Sequence, residues 1–328
     1  MSQIARRISV CAAAVLCMVA HVGLGAAAEP YPQRPVKIVV PYAAGGGTDV
    51  TARLFGGALE RELGQSFIVD NRAGGASIPG TQAVAQSKPD GYTLGMMDSS
   101  FMTNPSLFRG KLPYDTQRDF KPIALLARNQ LLLTVPADSP YKTVADLVAA
   151  IKKKPGELTF ASAGIGTAIH LVGEQLRQSD NLSFVTVPYR GGGPALADLI
   201  SGKVDFSFVA YPLARPQMRD GRIRALAVAG PRMSMERDLP SMAEVGFPNV
   251  DAMTEMGLVA PAGTPDAIIQ RLSAIASDAA RKEPLRQKLL DLGSTPIGST
   301  PQEYADHVAK EMSKWSVVID RGNIKGEQ

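Results

Sequence analysis

From Val36 onward the chain alternates short apolar, β-branched runs with stretches of helical spacing, and this alternation restricts the fold more than any other feature. Val36 to Pro41 reads as a strand, Thr48 to Leu63 as a helix ended by Gly64, and Phe67 to Asp70 as the next strand. A loop over 72–80, a helix from about Thr81 to Ser87, the turn Lys88-Pro89-Asp90-Gly91 and a strand Tyr92 to Met97 complete a first unit. A second unit repeats the grammar. It has strands at Leu131 to Val135, Leu158 to Ala161, Phe184 to Val187, Val204 to Val209 and Ile223 to Ala229. Helices at Thr143 to Lys154, Ala168 to Ser179 and Ala195 to Ile200 fall between them. Such alternation specifies an α/β fold built of βαβ units, with right-handed crossovers and mostly parallel sheets. In these sheets the ligand site lies beyond the carboxyl ends of the strands.

After Val250 come a strand around Met256 to Ala260 and two amphipathic helices, Pro265 to Leu292 with an interruption at Pro284, and Pro301 to Ile319. These have no sheet of their own and are expected to pack back on the first unit. The expected organisation is therefore a discontinuous first domain, residues 29–129 plus 255–328, and a second domain, residues 130–254.

Residues 1–28 stand apart. Arg6 and Arg7 precede a mostly apolar stretch from Ile8 to Leu24, and Ala26-Ala27-Ala28 offers a small-residue cleavage site before Glu29. This is the pattern of a cleaved signal peptide, and it places the mature protein in the periplasm. Both cysteines, Cys11 and Cys17, lie in the removed segment, so the mature chain has no thiol or disulfide; Leu16 argues against lipidation at Cys17. Removing Arg6 and Arg7, and no acid, leaves 33 basic against 31 acidic residues, a net charge of +2. That balance gives no basic face for nucleic acid.

The stretch Val39 to Val50, VVPYAAGGGTDV, places three glycines between a strand and a helix. Ala44-Gly45-Gly46-Gly47-Thr48 and Ala163-Gly164-Ile165-Gly166-Thr167 share the form A-G-x-G-T at equivalent places in the two units. A helix N-terminus offers unpaired N–H groups and partial positive charge, and glycine lets an anion approach them. The residues do not fit phosphate motifs. The Walker pattern needs a lysine where Gly47 stands, and the dinucleotide pattern a glycine where Val50 stands. A carboxylate asks only for two or three donors. The competing reading makes the loops tight turns, with Thr48 and Thr167 as helix caps, and Asp49 suits a structural role as well as ligand contact. A side chain at Gly46 or Gly166 is expected to fill the space of an anion oxygen while sparing the fold.

Catalytic signals are weak. The mature chain keeps two histidines, His170 and His307, and shows no nucleophile elbow and no metal-ligand spacing. No catalytic residue, metal or cofactor is expected. His170 lies one turn into the second glycine-capped helix, where either a cleft or a core position suits it.

Several segments together resemble the Bug-type solute receptors of tripartite tricarboxylate transporters. They are the run from Tyr31 through Arg34-Pro35 to Pro41, the Gly45–Asp49 loop, Asn71-Arg72 and Pro89-Asp90-Gly91-Tyr92-Thr93-Leu94. They continue with Leu112-Pro113-Tyr114-Asp115, Ser162-Ala163-Gly164, Gly166-Thr167 with His170, Val187-Pro188-Tyr189 and Ala260 to Pro265. The resemblance covers essentially the whole mature chain. It implies a two-domain periplasmic binding protein fold of type II, with helices on both faces of each sheet and a carboxylate held in the interdomain cleft. It also implies membrane transporter subunits as partners and a monomeric receptor. By that analogy Tyr42, Ala44, Gly45, Gly46, Thr48 and Asp49 face Ser162, Ala163, Gly166, Thr167 and His170, with Ser99 and Tyr189 as further candidates. There are two departures. Phe208-Val209-Ala210 stands where many relatives carry Phe-Asp-Asn, and Asp98 stands where they carry a small hydroxyl residue. Val209 and Asp98 are therefore expected at the cleft: Val209 favours a non-amino carboxylate, aliphatic or aromatic and possibly a dicarboxylate, whereas Asp98 is either a counter-charge for an ammonium group or tied up by Ser99, Ser100 or backbone donors. A periplasmic sensor of the same fold and a secreted enzyme are the alternatives to a transport receptor.

Overall fold

The computed structural model describes residues 31–326; the expected signal peptide, with Cys11 and Cys17, lies outside them. The first unit runs β1 (Val36–Val40), α1 (Gly47–Leu63), β2 (Phe67–Asn71), a 3-10 turn (Gly75–Ser77), α2 (Ile78–Ala85), β3 (Thr93–Met97) and α3 (Ser100–Leu107). A 17-residue strand, β4 (Phe120–Pro136), leads into α4 (Val144–Lys153), β5 (Thr159–Ser162), α5 (Ala168–Ser179) and β6 (Val185–Pro188). Then follow α6 (Gly192–Ile200), β7 (Phe206–Ala210), α7 (Tyr211–Arg219) and β8 (Ile223–Ala229). The chain closes with β9 (Met253–Pro261), α8 (Asp266–Arg281), α9 (Leu285–Asp291), β10 (Thr295–Pro296) and α10 (Pro301–Arg321).

Two sheets share β4. In the first, β1 lies between β2 and β3, parallel to both, with Lys37 opposite Ile68 and Thr93. β9 joins antiparallel to β3 and then to β4 across 120–130. In the second, β5 lies between β6 and β7, again parallel to both, and the remaining part of β4, Leu131 to Pro136, runs antiparallel to β7 and β8. Each unit thus has the order 2-1-3 with an antiparallel neighbour beyond strand 3. The expected domain boundaries fall inside paired strands, since Asn129 of β4 sits opposite Thr254 and Arg128 opposite Glu255. Because β4 continues from the first sheet into the second, the residues from Arg34 onward form one unit by their contacts.

The strands bury what their patterns predict. Leu131, Leu133 and Val135 face a core that includes Leu147, Ile151, Phe160, Phe206, Phe208 and Trp315, while Leu132 faces the opposite core with Ala161, Val209 and Tyr211. The first sheet packs Val39, Met97, Leu125 and Val259 against Phe101, Phe120 and Tyr304. The C-terminal helix serves both cores. Tyr304 and Val308 at its start lie in the first-unit core, and Trp315, Val318 and Ile319 at its end lie in the second-unit core.

Two helices have no counterpart in the sequence patterning, α3 and α7. Each is short, and prolines inside them, Pro105 in α3 and Pro216 in α7, read as breakers although the helices absorb them. The strand expected from Leu131 begins eleven residues earlier, at Phe120, because Lys121 and Arg128 interrupt the apolar run without ending its pairing. The C-terminal helical pattern divides at Lys282 to Pro284, as the proline suggests.

Candidate functional site

In a 2-1-3 sheet the chain reverses direction between strand 1 and strand 3, and the loops at that point splay apart to leave a crevice. Here the two such points lie between β1 and β3 and between β5 and β7. The loops after them hold nearly all the residues that the sequence singles out: Tyr42 to Asp49 and Asp98 to Ser100 in the first unit, Ser162 to His170 in the second.

The first loop is a rigid frame with an open rim. Asp49, buried in the first turn of α1, accepts hydrogen bonds from Gly45 N (2.9 Å), Arg53 Nε (3.1 Å) and Asn71 Nδ2 (3.0 Å). Burial works against its charge, but Arg53, Gly45 and Asn71 outweigh it and hold the carboxyl below the usual range. Asp49 therefore ties the loop together, and the structural of its two readings fits. Asn71 also donates to Tyr42 O at 3.1 Å. Thr48 is not a cap: the helix begins at Gly47 with Gly46 as N-cap, and Thr48 is buried inside the first turn. Ala44, Gly45, Gly46 and Gly47 form the exposed rim. A Cβ on Gly45 or Gly47 would meet nothing within 4 Å, and Gly45 needs its positive φ of 85°.

Behind that rim, the Tyr42 hydroxyl donates to Asp98 Oδ1 at 2.5 Å, and Ser100 N donates to the same oxygen at 2.8 Å. Burial raises the Asp98 carboxyl above its ordinary value against these two donors. Burial, followed by the Asp98 charge, pushes the Tyr42 phenol well above its ordinary value. Ser99 is turned away. Its Oγ donates to Met253 O (3.3 Å) and accepts from Glu255 N (3.2 Å), fastening β3 to β9.

The second loop is also internally tied. Ser162 Oγ accepts from Gly164 N at 3.2 Å, and Thr167 Oγ1 donates to Gly164 O at 2.8 Å. Thr167 is the N-cap of α5, accepting from His170 N at 3.3 Å. His170 is buried and accepts from Gly166 N through Nδ1 at 3.2 Å, a bond that requires that nitrogen unprotonated. Burial, and then the charge of Arg177, bring its pKa down to about 4. Ala163 and Thr167 are half-buried at the rim. Tyr189 points its hydroxyl to Asp198 Oδ2 at 2.9 Å, so its body, not its tip, is what the loop presents. Val209 departs from expectation. Strand alternation sends its side chain into the core with Leu132, Ala161 and Tyr211, where it is 3% exposed, so it does not set the polarity of a cleft.

The two loops meet. Thr103 Oγ1 of α3 donates to Gly166 O at 2.9 Å, and Leu107 packs so closely that a Cβ on Gly166 would lie 2.1 Å from its Cδ1. The vacancy at Gly166 is thus filled by a first-unit leucine, not left for an anion oxygen. By contrast, a Cβ on Gly46 would make only an ordinary 3.6 Å contact with Ala43 O. Thr103, Leu107, Arg53 and Asn71 escape the sequence reading. The first two lie in the unforeseen helix, and Asn71-Arg72 was visible only as a family segment. Among the described residues no group of three or more His, Cys, Asp or Glu side chains could hold a metal ion, and no helix is long and apolar enough to cross a membrane.

Residues 51–324 match the family described as "Tripartite tricarboxylate transporter family receptor". The protein BugT of Bordetella pertussis is 32% identical over 311 residues, 94% of this chain and 95% of that protein. Among solved structures, R. palustris Rpa4515 with adipate superposes with a TM-score of 0.83 at 33% identity, covering 90% of this chain and 99% of that one. MatC from Rhodopseudomonas palustris with bound malate gives 0.79 at 31% identity, covering 88% and 100%.

Proposed function

The chain belongs to the tripartite tricarboxylate transporter receptor family, and from that premise we propose that it is a periplasmic receptor for a small carboxylate. Its fold is the two-domain α/β fold of periplasmic solute-binding proteins. On this reading residues 29–129 plus 255–328 and residues 130–254 act as two lobes hinged where β4 runs from one sheet to the other and the chain returns into β9. The anion enters between the β1/β3 and β5/β7 loops. The observation that carries the reading is the hydrogen bond from Thr103 to Gly166 O, which joins one lobe's loop set to the other's. Ligand closes the lobes, and the closed monomer is handed to the membrane subunits of a transporter, with no chemical step.

The framed Gly45–Gly47 rim at the N-terminus of α1 favours a negatively charged guest without a positive side chain to pair it. Burial works against an ionised Asp98, which makes it a poor counter-charge for an ammonium group and favours a non-amino acid such as an aliphatic or aromatic dicarboxylate. The test is a thermal-shift and calorimetric screen of succinate, malate, adipate, phthalate, citrate and glutamate against the mature protein. A ligand present at about 100 times its dissociation constant stabilises by about 2.7 kcal/mol. Glutamate as the tightest binder would overturn the non-amino reading, and no binder at all would overturn the receptor reading.

A further inference from the structure

The half-buried carboxyl of Asp98 sits at the β1/β3 crevice, the place where the proposed ligand would put its own carboxylate. Its neighbour Tyr42 leads directly into the glycine rim. Two hydrogen bonds fall on its Oδ1, from Tyr42 at 2.5 Å and from Ser100 N at 2.8 Å, and the Ser100 hydroxyl and the residue's own backbone N–H also act on the carboxyl. No described lysine, arginine or histidine forms an ion pair with it. A carboxylate receptor that places an acid at its own switch point faces a like-charge problem. Two carboxylates at hydrogen-bond distance do not both stay ionised, and the pair takes up a proton.

We propose that Asp98 receives the ligand as a protonated acid, its Oδ2–H donating to a ligand carboxylate oxygen, so that capture of the anion takes up one proton from solvent. The inference rests on the carboxylate-receptor reading above. The reaction is a protonation and a hydrogen bond, with no bond to carbon made or broken. Tyr42 and Ser100 hold Oδ1 as acceptor and thereby select Oδ2 as the protonated oxygen.

The other groups around Asp98 leave it as the one that titrates. Tyr42, Tyr114 and Tyr304 are phenols that burial raises above their ordinary range, so they stay neutral near pH 7. Glu255, on β9, is ion-paired with Arg128 (2.6 Å) and hydrogen-bonded to His307 (2.6 Å). His170, across the loops, is neutral down to about pH 4. An acid in this place also sets specificity. Its O–H donates more strongly to an ionised carboxylate than to the carbonyl of an amide or ester of the same body.

The experiment is calorimetry of adipate, succinate and malate with the full mature protein, in two buffers of different ionisation enthalpy. The pH series lies above the range in which the ligands' own carboxyls titrate. The expected result is uptake of about one proton per ligand, with affinity falling about tenfold per pH unit above the free Asp98 value. Asp98→Asn, which keeps an acceptor for Tyr42 and supplies a neutral donor, should bind with no pH slope and without proton uptake, whereas Asp98→Ala should bind weakly at every pH. The 13C carboxyl shift of Asp98 in the wild-type protein, free and adipate-saturated, reads the same protonation without any variant. Proton-neutral binding by the wild type, or an ionised Asp98 in the complex, overturns the inference and leaves the receptor reading standing. Failure of all three acids to bind overturns both. Tighter binding of glutamate, abolished in Asp98→Asn, would show an ionised Asp98 pairing with an ammonium group.

Discussion

Replacing Gly166 by alanine separates two things that this glycine does. Its φ of 79° costs an L-residue about 1–2 kcal/mol, and that strain is present wherever the loop keeps its shape. The new methyl also meets Leu107 Cδ1 at 2.1 Å and Cγ at 3.4 Å. Leu107 is 7% exposed, so its side chain has little room to yield, and overpacking of this kind costs about 1–3 kcal/mol. On the proposed hinge that second cost arises only when the loops have closed. It should therefore leave unfolding of the ligand-free protein alone and weaken ligand affinity by roughly 5- to 150-fold. The assay pairs urea unfolding of the free protein with calorimetry against whichever acid the screen identifies. Gly46→Ala is the control, having an ordinary φ of −75° and a nearest contact of 3.6 Å. Adding Leu107→Ala to Gly166→Ala should restore most of the affinity, even though losing a buried leucine costs about 2–5 kcal/mol of stability. The reasoning is refuted if Gly166→Ala binds like the wild type, or if shortening Leu107 rescues nothing.

Three further outcomes follow from the same contacts. His170 has its pKa depressed from 6.5 to about 4, so the unfolded chain takes its proton first as pH falls. Its contribution is full above pH 6.5 and is lost between there and about 4, up to roughly 3 kcal/mol, and His170→Gln should flatten that part of the stability-versus-pH curve. Arg128→Met leaves Glu255, with a side chain 7% exposed, short of one of its two partners, and should cost about 3–5 kcal/mol by denaturant unfolding; a loss below about 1 kcal/mol would mean that His307 alone suffices. Asp49→Ala strips the rim of its frame, and a loss of roughly 1.5–3 kcal/mol is expected from the charged hydrogen bonds alone. Because the Asp49 pKa is lowered in the fold, that stability is present above pH 3.8 and disappears as pH falls below it, which acid titration of wild type and variant compares directly.

Much of the fold is legible in the chain because βαβ grammar is local. Each strand is a short apolar run, and the helices at α1, α4, α5 and α10 carry their own stops or caps, such as Gly64 and Thr143. The sheet order is less so. Nothing in the run from Leu131 to Val135 reveals that the same strand begins at Phe120, since Lys121 and Arg128 break the pattern that pairing with β9 overrides. The site divides in the same way. The glycine loops and Asp98 are visible as motifs or departures from a family pattern. What each side chain touches depends on register and alternation, and these decide that Val209 faces the core while Tyr42 reaches Asp98. Thr103 and Leu107 were hidden because Pro105 disguises the helix that carries them.

The passage of β4 through both sheets, with β9 as its late partner in the first, also governs the order in which the protein can fold. Everything from Leu131 to Ala229 can pair within itself, because β5, β6, β7 and β8 find their partners among residues close in the chain or on the end of β4. The first sheet cannot be completed that way. Its third strand pairs Gly95 with Val259, and Lys121 of β4 pairs with Ala260, contacts that close loops of well over a hundred residues. Such closures come late, since their entropy is lost before they return any contact energy. Until β9 arrives, β3 offers the apolar edge Leu94-Gly95-Met96-Met97 with no neighbour on that side. The strand that covers it is made well over a hundred residues later, so the nascent protein carries this apolar edge unprotected through about half of its synthesis.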